Sequence, residues 1–261
     1  MRLALCVLLV PLVLGPAALA SRTGPETDSA PPVPSHRAQR REIARLLHRA
    51  KPVYCGGGRS NAVALTFDDG PSPYTERLLS VLRGAGAHAT FFLVGNRLQY
   101  WPRAIREEAQ LGALGNHTWS HPSLTDLPRW LVWLELERTQ WEMARRAGSQ
   151  PRLFRAPYER HDAMTDGVAS SLGLLQVFWS VDSRDDAKKA KVARVVRRVL
   201  AGLRPGAIVL MHDLHPWTLR ALPQILHAVR ARGLRALSVP ELLALDPPTR
   251  DQHCPYAPGV D

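Results

Sequence analysis

Short apolar runs alternate with longer amphipathic ones through most of this chain, and that alternation limits the folds open to it. The apolar runs at 62–67, 89–94, 113–117, 152–156, 175–181, 207–212 and 234–239 are rich in β-branched and aromatic residues. Their length and continuous apolar character predict strands buried on both faces. The stretches near 74–84, 101–111, 129–147, 162–172, 188–202, 217–231 and 240–245 predict helices. Strands and helices in alternation imply parallel strands joined by right-handed crossovers, hence an α/β fold. Seven such units fit a barrel or a doubly wound sheet. No linker interrupts 62–245, so one domain over 59–247 is expected. At 261 residues and 45% apolar content, the chain suffices for one sizeable core.

The flanks read differently. Arg2 precedes an apolar run from Leu3 to Leu14, and Ala18-Leu19-Ala20 supplies a small-residue cleavage site, so 1–20 is read as a secretory signal peptide. After its removal no segment is apolar enough to span a bilayer. Residues 21–58 are read as a disordered stalk rich in Pro, Ser and Thr, then a basic helix near 37–51, then a glycine hinge. The narrow apolar stripe of that helix, Ile43, Leu46 and Leu47, allows it to dock on the domain or rest on a polyanion, but a solvated, weakly packed helix is the preferred reading. The tail, 248–261, is irregular and carries Cys254. With Cys6 lost with the signal, Cys55 and Cys254 remain, and in an exported protein such a pair predicts a disulfide. The formal charge of +11 falls only to +10 without residues 1–20, since Arg2 is their one charged residue. Export argues against nucleic acid as the partner of so basic a chain; an anionic cell-wall polymer fits the compartment better. The chain is read as a secreted or wall-associated monomer.

The polar residues are not scattered. Asp68 and Asp69 close the first strand, His117 the third and Arg155 the fourth; Asp182 and Asp185 follow the fifth, and His212-Asp213 ends the sixth. Parallel α/β folds place ligands at the carboxyl ends of their strands, so these residues predict one active site. Neighbouring carboxylates at a strand end point different ways, which allows one to bind a metal and the other to move a proton. His117-Thr-Trp-Ser-His121 is read as two imidazoles one helical turn apart. With Asp69 they form a three-ligand site for a divalent cation. Zinc suits these ligands in a hydrolase, and the same set accepts iron, cobalt or nickel.

Five segments in order, Thr-Phe-Asp-Asp-Gly, His-Thr-Trp-Ser-His, Arg-Ala-Pro-Tyr, Asp-Ser-Arg-Asp and Leu-Met-His-Asp, resemble the motifs of the NodB-homology polysaccharide deacetylases, carbohydrate esterase family 4. The resemblance spans about residues 60–245. It implies a deformed (β/α)7 barrel and metal-dependent removal of acetyl groups from carbohydrate. It assigns Asp68 as general base and Asp69, His117 and His121 as metal ligands. Arg155 would orient Asp68, and the Pro157-Tyr158 segment would offer the Tyr158 N–H to the oxyanion. His212 would be the general acid, oriented by Asp185, with Leu210 lining the acetyl pocket. An acetylated N-acetylglucosamine polymer, peptidoglycan or chitin, is the expected substrate. The alternatives are an esterase acting on acetylxylan and a catalytically idle wall-binding domain. No G-x-S-x-G segment occurs, which argues against an α/β-hydrolase mechanism.

Two positions depart from that pattern: Asp186 stands where the family commonly has Trp, and Glu159 where it often has Gly. Trp179 and Trp217 are the nearby aromatics able to replace the lost apolar wall. Trp130, Trp133 and Trp141, on one helical segment, are read as core packing, as is Trp119. His88 is read as structural or solvated, and His215 as near enough to His212 to meet substrate.

Overall fold

The structure is a computed structural model that describes residues 32–49, 51–251 and 254. The expected signal peptide, most of the stalk and most of the tail lie outside the described residues. Strand β1 (Ala62–Gly70) organises the rest, because all its neighbours run parallel to it. It pairs with β2 (Ala89–Leu93) on one side and with β7 (Ile208–His212) on the other. The sheet continues through β3 (Gly112–Asn116), β4 (Leu153–Phe154) and β5 (Leu175–Gln176) beyond β2, and through β6 (Val181–Asp182) beyond β7. β8 (Arg235–Leu237) pairs with the first residues of β1, Ala62 to Ala64. The result is the deformed (β/α)7 barrel anticipated above.

One predicted strand divides in two. Residues 175–181 pair with β4 at their start and with β7 at their end, so a single continuous segment closes the gap in the ring. Phe178 and Trp179, between the halves, leave the ladder, and Val53 bridges to Val177 there.

Alternation along β1 separates two cores. Val63, Leu65 and Phe67 face one cluster, with Leu78 and Leu79 of α2 (Thr75–Gly84) and Leu222 and Ile225 of α7 (Pro216–Ala231). Ala62 and Ala64 face the other, with Phe92, Phe154, Phe178 and Leu210. By the same parity Thr66 and Asp68 point to this second side. The small alanines there leave volume for a large polar side chain.

The helices are α3 (Ala104–Leu111), α4 (Arg129–Ala147), α5 (Ala163–Ser171), α6 (Val192–Gly202) and α8 (Val239–Leu245), besides α2 and α7. α6 starts later than the sequence suggests, because 183–191 first carry Asp185 beneath β7. The basic segment forms α1 (His36–Leu47), which is docked rather than loosely solvated. Ile43 and Leu46 are buried in the same cluster as Leu242 and Leu243 of α8, each apolar side chain worth roughly 2 kcal/mol of burial. Its arginines stay outside, with Arg45 paired to Glu42. The α4 tryptophans also depart from expectation. Trp130, Trp133 and Trp141 are 65%, 46% and 61% exposed, because Val132, Leu136, Thr139 and Met143 supply the buried face. His88 is structural as read: its Nδ1 lies 2.7 Å from Glu241 at the start of α8.

Cys55 and Cys254 are bonded, with Cα atoms 5.8 Å apart and a sequence separation of 199. In the chain-entropy model closing so long a loop stabilises by about 5 kcal/mol. Cys254→Ser is therefore expected to lower the urea midpoint of the oxidised protein by the equivalent of about 2–5 kcal/mol. An unchanged midpoint would show that the ends hold without the bond.

Candidate metal and proton-transfer site

The two aspartates at the end of β1 are separated by backbone geometry. Asp68 keeps the strand's alternation and points to the inner face, 3% exposed. Asp69 would point to the opposite face, but its φ of 70° and a break in register between Asp68 and Gly70 turn its carboxylate over the strand end. A non-glycine residue in the left-handed region costs about 1–2 kcal/mol, and here it sets the direction of one carboxylate.

The His117–His121 segment is not the helical turn the spacing suggested. It is a loop after β3 in which Thr118 and His121 take φ values of 67° and 63°. The loop holds itself with short hydrogen bonds. Thr118 N–H donates to Asn116 Oδ1 at 2.9 Å, and His121 N–H donates to Thr118 Oγ1 at 3.0 Å. Glu135 of α4 accepts from the Trp119 and Ser120 N–H groups, both at 2.8 Å. Trp119 packs as expected, with the Arg138 guanidinium 3.7 Å from its ring centroid.

This brings both imidazoles to Asp69. His117 Nε2 lies 3.4 Å and His121 Nε2 3.1 Å from Asp69 Oδ1. That oxygen is buried yet makes no hydrogen bond of acceptable geometry. The other ring nitrogens are engaged: His117 Nδ1 lies 2.7 Å from the Arg155 carbonyl, and His121 Nδ1 lies 3.1 Å from the Tyr158 hydroxyl. A carbonyl accepts, so His117 Nδ1 carries the proton and its Nε2 presents a lone pair. Converging lone pairs and an unpartnered carboxylate oxygen fit a cation between them. These three are the one such group among the described residues. Burial pushes the Asp69 carboxyl up. When the two imidazoles carry protons instead, their hydrogen bonds and charge outweigh burial and hold that carboxyl well below the usual carboxylate range, so the same oxygen attracts positive charge in either form.

Asp68 answers to Arg155 instead. Arg155 is fully buried, and its Nη1 donates to Asp68 Oδ1 at 2.7 Å and to Thr66 Oγ1 at 2.8 Å. Its Nε and Nη2 donate to the Val177 and Phe178 carbonyls at 2.9 and 3.0 Å. The guanidinium plane lies against Phe92, 4.1 Å from the ring centroid. Asp68 therefore has one oxygen fixed, while Oδ2 lies 3.8 Å from His117 Nε2.

Opposite stands His212, in register with Asp68 across the β1–β7 pair. Its Nδ1 lies 2.7 Å from Asp185 Oδ1, and its backbone N–H donates to Asp185 Oδ2 at 2.8 Å. Thr218 Oγ1 donates to the same carboxylate at 2.5 Å, and Trp217 Nε1 donates to the Asp185 carbonyl at 2.6 Å. Burial disfavours the imidazolium, but the Asp185 hydrogen bond and charge, with the charges of Asp68 and Asp69, push His212 up to about 10. Asp185 is held below its ordinary value, the pull of His212 and Thr218 exceeding the cost of burial. Asp213, next in the chain, turns away from this group and accepts from Thr75 and, through its carbonyl, from Ser72.

A cleft of about 360 Å³ joins these residues, with Tyr158, Leu210, Trp179 and Ala156 on its walls. Pro157 is buried just beside it, at the start of a left-handed pair, Tyr158 and Glu159, with φ values of 60° and 56°. Glycine is favoured at such an angle, which explains the family's usual residue at 159. Glu159, Asp182 and Asp186 line the outer cleft with Arg184. Burial, opposed by His161 and Arg155 and reinforced by Asp182, raises the Glu159 carboxyl. Trp179 lines the cleft where the expected Trp is missing, whereas Trp217 sits behind Asp185 and stacks on His215, ring centroids 4.8 Å apart. Glu135, Thr66 and Thr218 were not singled out by sequence; only Glu135 had a local cue, a carboxylate on the first buried turns of α4.

Two outcomes test this geometry. Glu135→Ala frees the ligand loop and is expected to weaken zinc affinity by about 10–100-fold, measured by chelator competition; equal affinity would show that the loop stands alone. Because His212 is raised from 6.5 to about 10, the pair's stabilisation is complete below 6.5 and is lost as pH rises through about 10. Asp185→Asn should bring the His212 imidazole titration, followed by NMR, down towards neutral and flatten that alkaline loss; a titration still near 10 would assign the shift to Asp68 and Asp69.

A family model described as polysaccharide deacetylase matches residues 56–177. The peptidoglycan-N-acetylglucosamine deacetylase PgdA of Listeria monocytogenes is 36% identical over 69% of this chain, which spans only 38% of that protein's length. The chitooligosaccharide deacetylase of Bradyrhizobium sp. is 37% identical, covering 70% of this chain and 91% of that one. Among solved structures, the family 4 carbohydrate esterase from Streptomyces lividans in complex with acetate superposes with a TM-score of 0.64 at 37% identity, over 67% of this chain and 91% of its own. With the five motifs gathered at one end of one barrel, and the Bradyrhizobium deacetylase and the Streptomyces esterase each matched over 91% of their length, this chain belongs to the polysaccharide deacetylase family.

Proposed function

We propose that the protein is an exported, metal-dependent hydrolase that releases acetate from N-acetylglucosamine units of peptidoglycan or a chitin-type polymer. The observation that carries this reading is the pairing of two unlike groups across one cleft. On one side is an Asp69-His117-His121 set with an unpartnered carboxylate oxygen; on the other is a His212 kept cationic by Asp185. A divalent cation, zinc by preference, held by Asp69, His117 and His121 supplies Lewis acidity and brings the pKa of a water to about 7.

The side chains divide the remaining work. Asp68, with one oxygen fixed by Arg155, takes the proton of the attacking water. The Tyr158 N–H, beside Pro157, stabilises the oxyanion; a donor in that role is worth roughly 3–4 kcal/mol. His212 gives its proton to the departing nitrogen and, lying above neutral, carries that proton when the amide C–N bond breaks. Leu210 and Trp179 form the apolar wall for the acetyl methyl. Secretion follows from the signal-like segment 1–20, and no helix among the described residues is long and apolar enough to cross a membrane. The basic exterior, including the arginines of α1, suits an anionic wall polymer.

The decisive measurement is acetate release from acetylated chitooligosaccharides, peptidoglycan and acetylxylan, with and without chelator. Metal-dependent release from an N-acetylglucosamine polymer is expected, with Asp68→Asn abolishing turnover while zinc affinity stays near wild type. Release from acetylxylan alone would make the protein an O-deacetylase, and sugar binding without release would make it a binding domain. Loss of zinc in Asp68→Asn would reverse the roles of the two aspartates.

A further inference from the structure

Of the seven exposed large hydrophobic side chains among the described residues, four lie on α4. Trp130, Leu134 and Trp141 follow one line along the helix, with Trp133 beside it, at positions i, i+4, i+11 and i+3. At 3.6 residues per turn this line lies opposite the buried Val132, Leu136 and Met143, so it faces away from the barrel. With 65%, 46% and 61% exposure, the three indoles present roughly 300–400 Å², counting 150–250 Å² for each aromatic side chain. A patch of that size is about as large as the largest apolar patch of an ordinary monomer, a feature that often serves a function, and here the helix does not need it for packing.

The dimensions and charges select the occupant. A standard protein interface takes about 800 Å² from each partner, about twice what the three indoles present, and the stripe is narrow and flanked by charged Glu137, Arg138 and Arg145, which suits a thin strand better than a second copy. A bilayer is opposed by Glu137, which sits between Trp133 and Trp141 on the same side and would carry its charge into the interface. A sugar strand meets both conditions. Pyranose rings offer C–H faces of partial positive charge to the negative indole face. Their rim hydroxyls can donate to Glu137 and accept from Nη1 of Arg145, whose Nε and Nη2 are held by Glu142 and whose guanidinium lies 5.6 Å from the Trp141 ring centroid. From Trp130 to Trp141 the helix rises about 16 Å, enough for several rings of an extended chain.

We propose that the outward face of α4 is a second glycan-binding surface, separate from the cleft, which holds an extended amino-sugar polysaccharide strand by stacking on Trp130, Trp133 and Trp141. It rests on the reading above only in taking the substrate to be a polymer. The test compares the full chain with its Trp130→Ala/Trp133→Ala/Trp141→Ala variant, alanine being the strongest helix former for these exposed positions. Depletion onto insoluble chitin is expected to weaken at least tenfold, while the circular-dichroism melt and acetate release from a soluble short N-acetylglucosamine oligomer stay within twofold. Trp141→Ala alone, the milder change, is expected to weaken depletion about threefold. Binding is read whether or not acetate is released, so failure of the deacetylase reading and failure of this one are separate results. Unchanged depletion overturns the proposal. So does binding to phosphatidylcholine–phosphatidylglycerol vesicles that the triple variant loses, or a dimer by light scattering that the variant dissolves.

Discussion

The buried guanidinium of Arg155 is the interaction on which the site depends. It is fully enclosed, and taking such a charge out of water costs several kcal/mol unless its donors are met. They are met by Asp68, by Thr66 of the same strand, and by two carbonyls of the segment that closes the ring. Removing one member of a buried pair of this kind typically costs about 3–5 kcal/mol, because the other charge is left stranded. Arg155 therefore fixes Asp68 and clamps the barrel's seam together. Its own carbonyl, on His117 Nδ1, also sets the tautomer of one of the three groups suited to a cation.

This economy gives the site its electrical division. One half gathers lone pairs and negative charge around a point suited to a cation; the other places a carboxylate behind an imidazole so that the imidazole keeps its proton. The halves are held by different neighbours, Glu135 and Arg155 on one side, Thr218 and Trp217 on the other. Each can be tuned without dismantling the other.

Much of this was legible in the sequence because the relevant signals are local. Continuous apolar runs gave the strands, and the restriction of polar residues to their carboxyl ends gave the site. What escaped was set by long-range geometry. The spacing of His117 and His121 looks helical, yet Asn116, Thr118 and Glu135 bend the segment into a left-handed loop, and Glu135 lies on another element. The run 175–181 looks like one strand, and only ring closure shows that it serves two neighbours. The α4 tryptophans look like core because tryptophan usually is, while smaller residues on the same helix already filled that space. The narrow apolar stripe of α1 allowed docking, but the α8 surface that receives it lies some 200 residues away, so the stripe alone could not decide between docked and solvated.

The left-handed pair at Tyr158 and Glu159 separates two properties that most active sites entangle. The backbone there is shaped to bring the Tyr158 hydroxyl to His121, and it would keep that shape with glycine at 159. The carboxylate of Glu159 is thus an addition to the cleft's entrance, as Asp186 is. Charge at the approach can be changed by one or two side chains without moving Asp68, Asp69, His117, His121 or His212. The charge that a ligand meets on entering the cleft is therefore set by side chains, and the backbone that shapes the cleft does not depend on it.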